Sequence, residues 1–168
     1  MKKILIIFTI GVLFFLGCSE KTSITNPETQ SRSFISLSDG SLNKITDDYV
    51  EKSINGDKGG IITFRLGILL IPKGAFEGTK TLTISNDNKF AAVDFGPSMQ
   101  FNKPLHFTIH YTDLNLSGID PDKVDFGYMD GNKFEPAVYQ SLRVDVKKGS
   151  LTVIGAEIHH FSRYGFTR

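Results

Sequence analysis

The sequence has one cysteine, no tryptophan and almost no excess charge among its 168 residues. A single cysteine excludes an internal disulfide, and it excludes a structural zinc site built on several cysteines. The formal net charge of +1 provides neither a basic field for nucleic acid nor an acidic tail. The G-x-S-x-G, P-loop, G-x-G-x-x-G and H-E-x-x-H motifs are also missing, so no common catalytic signature predicts an enzyme.

Only one long apolar run occurs, and it lies at the N-terminus. Residues 4–16 follow two lysines; this run is shorter than the ~20 residues that span a bilayer but is typical of a secretory signal peptide. Gly17-Cys18 comes next and resembles the lipobox of bacterial lipoproteins, with Phe15 where that pattern prefers leucine. We therefore predict a cleaved signal peptide over residues 1–17 and a lipid on Cys18. The alternative is a secreted protein whose cysteine carries no lipid.

The segment after the cysteine is rich in Ser, Thr, Glu and Lys and has few large apolar groups. Such a composition cannot bury enough surface to order itself, so it predicts a flexible tether over residues 18–45 and a folded domain over 46–168. Phe34, Ile35 and Leu37 form a short apolar patch inside this segment. Packing of the patch onto the domain as an extra strand is the alternative at this point.

The remaining chain alternates apolar and polar residues with period two, which places one face of each strand on a core. The clearest alternating runs are residues 62–66, 81–85, 105–111, 124–128 and 142–146. Asp130-Gly131 predicts a tight hairpin of type I′, and no stretch of ten or more residues after Cys18 has a helical period. We predict an all-β protein, a single antiparallel β-sandwich.

Five motifs occur in a fixed order along the domain. They are INGDKGG at 54–60, ILLIPKGAF at 68–76, DFGP at 94–97, FNKP at 101–104 and HFSRYG at 160–165. This order resembles the ZU-five domain, named for zonula occludens and Unc-five proteins. One departure is Ser98-Met99-Gln100, where the family often has a glycine after its Gly-Pro pair. The resemblance implies the same β-sandwich and an interaction or spacer role rather than catalysis.

Prolines in these motifs predict where strands end. Pro72 cannot donate to a strand ladder and Gly74 permits a sharp turn, so a strand should end near Ile71. Gly96-Pro97 and Lys103-Pro104 predict a corner just before the strand at 105–111.

His160-Phe161-Ser162 is the sharpest candidate for chemistry. In some animal relatives of the ZU-five domain, this triplet is a self-cleavage site, where the serine hydroxyl attacks the preceding carbonyl and water then releases residues 162–168. If residues 158–162 are extended, His160 and Ser162 face the same side about 6.6 Å apart, so the imidazole could serve as base. The alternative, which we favour, is a final strand with Phe161 packed and the two polar side chains hydrogen-bonded at a corner.

Metal sites are not predicted. His106 and His110 share a strand face but lie about 13 Å apart, too far for both to bind one zinc ion. Asp120, Asp122 and Asp125 lack the spacing of a calcium loop and are typical of turns.

Together, these features predict a non-catalytic, lipid-anchored protein of the bacterial envelope whose sandwich is an interaction or structural module. Ser19 after the cysteine is compatible with sorting to the outer membrane. The expected partners are the membrane, through the lipid on Cys18, and a protein of the envelope, with no nucleic acid and no cofactor. The alternatives are a module that cleaves itself between Phe161 and Ser162, and a receptor for a ligand or glycan.

Overall fold

The computed structural model describes residues 32–37 and 48–168. These residues contain eleven β-strands and one 3-10 helix, Pro121–Lys123. The strands are β1 (Tyr49–Asn55), β2 (Gly60–Phe64), β3 (Gly67–Ile71), β4 (Thr79–Asn86), β5 (Ala92–Gly96), β6 (Gln100–Tyr111), β7 (Asp125–Asp130), β8 (Lys133–Pro136), β9 (Ser141–Asp145), β10 (Ser150–His160) and β11 (Arg163–Thr167). Within the described part of the chain, no helix has the length and apolar character needed to cross a membrane.

The strands form two antiparallel sheets that share one core. The six-stranded sheet has the order β1-β4-β5-β11-β7-β8, and the five-stranded sheet has the order β2-β3-β6-β10-β9. The predicted all-β sandwich is therefore confirmed. Consecutive strands often lie in different sheets, so most of the core contacts join residues that are distant in sequence.

The alternation along β6 explains how one strand serves both the core and the surface. Its fully buried side chains are those of Leu105, Phe107, Ile109 and Tyr111. The polar residues between them, His106, Thr108 and His110, occupy the opposite face. A strand of this pattern buries one face and leaves the other in water, as the period of two requires.

Aromatic rings join the two sheets across the core. The Phe107 ring on β6 lies 5.0 Å from that of Phe95 on β5, edge to face, and 6.3 Å from that of Phe126 on β7. Such pairs stabilise a core by about 0.5–1.5 kcal/mol beyond the area that they bury. The phenylalanines thus fix the spacing of the sheets.

The hairpin between β7 and β8 forms where the sequence predicts it, but with a different turn. Asp130 pairs with Lys133, which leaves Gly131 and Asn132 as the loop. Gly131 has a positive φ of 59° and Asn132 does not. A type I′ turn requires positive φ at both central residues, so the type I′ prediction is wrong; glycine at the first position alone is the pattern of type II′.

The first proline prediction holds and the second holds in part. β3 ends at Ile71 and the chain turns at Gly74, which has a φ of 79°. The predicted corner begins after Gly96, where β5 ends and the chain changes sheet, but it ends earlier than predicted, because β6 begins at Gln100 and runs through Lys103-Pro104. The pairing of β6 with β10 shifts register in this stretch, and such irregularities are where a strand tolerates proline.

Residues 32–37, which we call the strap, pack onto the sandwich. Ile35 is 2% exposed and Leu37 is 7% exposed. The Ile35 N–H donates to the carbonyl of Phe166, and the Ile35 carbonyl accepts from Ala91, each at 2.8 Å. The predicted domain start at residue 46 is therefore too late, because the apolar patch inside the predicted tether belongs to the core.

Replacing Ile35 by alanine tests whether the strap is part of the folded domain. We expect Ile35→Ala to lower the free energy of unfolding by about 2–5 kcal/mol, as for other large buried aliphatic side chains, measured by urea denaturation. Ser36→Ala is the matched control; it changes the neighbouring exposed side chain and should stay within about 0.5 kcal/mol of the parent. Equal stability of the two variants would contradict this placement.

Candidate functional site

The His160-Phe161-Ser162 triplet lies where the chain passes between the sheets. β10 of the five-stranded sheet ends at His160, and β11 of the six-stranded sheet begins at Arg163. We call residues 160–163 the crossover corner. The extended conformation assumed for residues 158–162 is not formed, because the chain bends at Ser162.

Backbone hydrogen bonds hold the corner on both sides of the Phe161–Ser162 bond. The Phe161 N–H donates to the carbonyl of Met99 at 2.8 Å, and the Ser162 carbonyl accepts from the N–H of Phe95 at 3.1 Å. Neither corner residue has a positive φ, and the peptide between them is trans. The bond that self-cleavage would break thus has an ordinary backbone geometry.

Phe161 anchors the corner in the core. The side chain is 2% exposed, and its ring lies 5.2 Å from that of Phe95, stacked, and 4.9 Å from that of Phe101, edge to face. Burial of a phenylalanine stabilises a fold by about 1.5–3 kcal/mol. The corner is therefore fixed by packing as well as by hydrogen bonds.

The His160 side chain packs on tyrosines. Its ring lies 4.5 Å from that of Tyr128, nearly perpendicular at 89°, and 5.8 Å from that of Tyr164. The Tyr164 hydroxyl donates to the His160 carbonyl at 3.3 Å. No hydrogen bond joins the imidazole to the Ser162 hydroxyl in the described residues. The structure thus brings His160 to the tyrosines rather than into a hydrogen bond with the serine.

Arg163 connects the other side of the corner to the strap. Its guanidinium pairs with Asp87 and lies 5.6 Å from the ring centres of Phe34 and Phe90. The Asp87 carboxylate also accepts from the backbone N–H of Phe90 at 2.7 Å. Burial lowers the pKa of Arg163, and its Nε is buried without a hydrogen-bond partner. Of these groups Phe34 belongs to the strap, so the guanidinium adds one contact to the backbone hydrogen bonds that hold the strap.

An open cavity of about 250 Å³ lies on the His160 side of the corner. We call it the aromatic cavity. Its lining includes Tyr128, Glu135, Val138, Glu157, His160 and Tyr164. Strands of both sheets contribute to it, since β7, β8 and β11 belong to the six-stranded sheet and β10 to the five-stranded sheet.

One side of the aromatic cavity is a row of three paired residues. Tyr164 pairs with Tyr128, and Tyr128 pairs with Glu135, across β11, β7 and β8. Directly paired residues project from the same face of a sheet, and Tyr164 is buried in the core. Glu135 thus projects from the inner face of its sheet, at the edge strand, beside two tyrosine rings.

Two glutamates line the aromatic cavity, but from different faces, because Glu135 projects from the inner face of its sheet whereas Glu157 pairs with His106 and projects from the outer face of its own. Glu135 pairs with the Lys133 ammonium at 2.5 Å, and Glu157 lies 3.4 Å from the His159 ring. The Lys133 side chain is 75% exposed, against 32% for Glu135. Glu135 is therefore more sheltered than the ammonium that faces it, and Glu157, whose side chain is 33% exposed, is more sheltered than the His159 ring at 61%.

Burial raises the pKa of Tyr164, and the nearby Tyr128 raises it further. The Tyr164 hydroxyl therefore stays protonated at physiological pH and keeps donating to the His160 carbonyl. This hydrogen bond joins the last residue of β10 to β11 across the corner.

The histidines of β6 are not brought together. His110 Nδ1 lies 2.7 Å from the Thr152 hydroxyl, and His106 pairs with Leu70 and Glu157 on neighbouring strands. Over residues 32–37 and 48–168, no group of three or more His, Cys, Asp or Glu side chains is placed to hold a metal ion.

The aspartates around Pro121 serve local structure. Asp120 caps the 3-10 helix, its carboxylate accepting from the Asp122 N–H at 3.2 Å. Asp125 accepts from the Tyr139 hydroxyl at 3.0 Å and from its neighbour Phe126. Their oxygens are used in turns and side-chain hydrogen bonds.

Cys18, the predicted signal peptide and the rest of the predicted tether lie outside the described residues. No protein-family model matches the chain, and no curated protein matches it. The ZU-five resemblance and the lipid on Cys18 thus stay predictions based on residues of the sequence.

Sequence reasoning missed Glu135, Glu157 and Tyr128 as members of one site. They lie on three strands, and their common position at the aromatic cavity depends on which strands meet at the edge of the sandwich. The hairpin predicted at Asp130-Gly131 was the one feature of the sequence that placed two of them together, because it pairs Tyr128 with Glu135.

Proposed function

We propose that the chain is a lipid-anchored protein of the bacterial envelope that presents its β-sandwich as an interaction module and has no catalytic activity. The observation that carries the proposal is the position of the single cysteine, Cys18, directly after an apolar run and a glycine. Two or more acyl chains on one cysteine give durable membrane binding, at about 0.8 kcal/mol per buried CH₂.

The length of chain between the anchor and the sandwich suits this role. The strap begins at residue 32, and residues 19–31 reach at most about 45 Å when fully extended. The sandwich would therefore be displayed close to the membrane surface. The order of its motifs supports a ZU-five-like module, whose family implies interaction rather than catalysis.

The crossover corner supports the non-catalytic part of the proposal. Cleavage after Phe161 needs a base on the Ser162 hydroxyl, whereas the His160 ring packs against Tyr128 and Tyr164. Phe161 lies in the core, so release of residues 162–168 would remove β11 from the middle of its sheet.

Replacing Cys18 by serine tests the anchor. We expect the parent to fractionate with membranes and to incorporate labelled fatty acid, and Cys18→Ser to lose both, because serine at this position is not lipidated. Ser19→Ala is the control and should still be lipidated and bind membranes. Membrane fractionation of Cys18→Ser equal to that of the parent would contradict the anchor.

The intact mass of the purified protein tests the absence of self-cleavage. We expect one species that extends to Arg168, for the parent and for Ser162→Ala alike, because no side chain of the described residues forms a hydrogen bond with the serine hydroxyl. A parent that loses residues 162–168 while Ser162→Ala stays whole would show that the corner cleaves itself.

A further inference from the structure

We infer that the aromatic cavity binds an alkylammonium ion, that is, a hydrocarbon chain ending in a protonated amine. The inference rests on the proposed role of the sandwich as an interaction module and deepens it by naming the class of ligand. It does not depend on the anchor, since the aromatic cavity lies in the folded domain.

The size of the aromatic cavity limits the ligand. Its volume of about 250 Å³ is below the ~300–1,000 Å³ of pockets that bury drug-sized molecules. A ligand of the size of one long amino-acid side chain fits this space. Val138, which is 66% exposed, leaves the cavity open to solvent on the side of the β8–β9 connection.

The walls favour a cation with an apolar body. Tyr128 and His160 provide aromatic surface, and a tyrosine ring attracts a cation placed over its face. Glu135, which projects from the same face as Tyr128, adds a carboxylate, so an anionic ligand would be repelled. The methylene chain of an alkylammonium ion would lie along the two rings and its ammonium would face the carboxylate of Glu135.

Acceptors for the N–H groups of an ammonium are also present. In the described residues, the Tyr128 hydroxyl and the ring nitrogens of His160 make no hydrogen bond. A hydroxyl oxygen and a neutral imidazole nitrogen both accept hydrogen bonds. With the carboxylate of Glu135, they provide the several acceptors that an ammonium with three N–H donors needs.

Lys133 competes with the ligand for the carboxylate of Glu135. Its ammonium contacts Glu135 at 2.5 Å, but the side chain is 75% exposed, and exposed ion pairs of this kind are weak. An alkylammonium ion that also buries its hydrocarbon chain against the Tyr128 and His160 rings gains contacts that Lys133 lacks. The lysine therefore occupies the carboxylate when the ligand is absent and moves into solvent when it binds.

The test is a ligand-observed NMR titration of the purified full chain with butylammonium. We expect saturable binding in about the millimolar range, as for other ligands of a few heavy atoms. Butyrate and 1-butanol, which keep the chain but not the positive charge, should not bind. Absence of butylammonium binding, or equal binding of butyrate, would overturn the inference.

Two variants should shift the affinity in opposite directions. Glu135→Gln should weaken butylammonium binding about tenfold, because it removes a charged acceptor. Lys133→Met should strengthen binding by up to about fivefold, because it removes the competitor. Lys148→Met is the matched control; Lys148 is a similarly exposed lysine paired with Asp145 outside the aromatic cavity, and its replacement should leave the affinity unchanged. Equal affinities for all three variants would overturn the site.

Two further titrations complete the test. The first distinguishes a lysine side chain of a partner protein from a free amine as the ligand, and the second distinguishes failure of the cavity from failure of the membrane anchor. Binding of Nα-acetyl-lysine amide as well as butylammonium would assign the ligand to a lysine side chain of a partner protein, and binding of butylammonium alone to a free amine; either result supports the site.

The titration is repeated on Cys18→Ser, which leaves the cavity intact. Binding in both proteins supports the inference even if the anchor fails, and no binding in either overturns it even if the anchor holds.

Discussion

Phe161 fixes the point at which the chain leaves one sheet and enters the other, and the rest of the sandwich depends on that crossing. Its ring is buried between Phe95 and Phe101, while its backbone N–H bonds to Met99. β10 and β11 are both interior strands of their sheets. Because the crossing joins two interior strands, neither sheet can slide over the other without moving the Phe161 ring out of its place in the core.

The two sides of this corner have different consequences. On one side, Arg163 pairs with Asp87 in the β4–β5 connection and lies 5.6 Å from the ring centre of Phe34, which is part of the strap. On the other side, His160 and Tyr164 form part of the aromatic cavity. A four-residue stretch thus contributes both to the packing of the strap and to the shape of the site that we propose for an organic cation.

The sequence predicts the fold class well because burial in a sandwich is periodic, as in β6, where every second residue from Leu105 to Tyr111 is fully buried. It does not predict β1, an edge strand with one buried residue, Ile54, and hence no alternation. It also misses the aromatic cavity, because the packing of the sheets brings Glu135 of β8 and His160 of β10 to one cavity. Local patterns report which face of a strand is buried, but not which strands meet.

The free energy of unfolding of Phe161→Ala, measured by urea denaturation, tests the central role of this corner most directly. We expect Phe161→Ala to lower the free energy of unfolding by about 3–5 kcal/mol, as for other buried phenylalanines replaced by alanine. Ser162→Ala, its neighbour in the same corner, should stay within about 0.5 kcal/mol of the parent. A Phe161→Ala protein as stable as Ser162→Ala would contradict the claim that this ring holds the two sheets together.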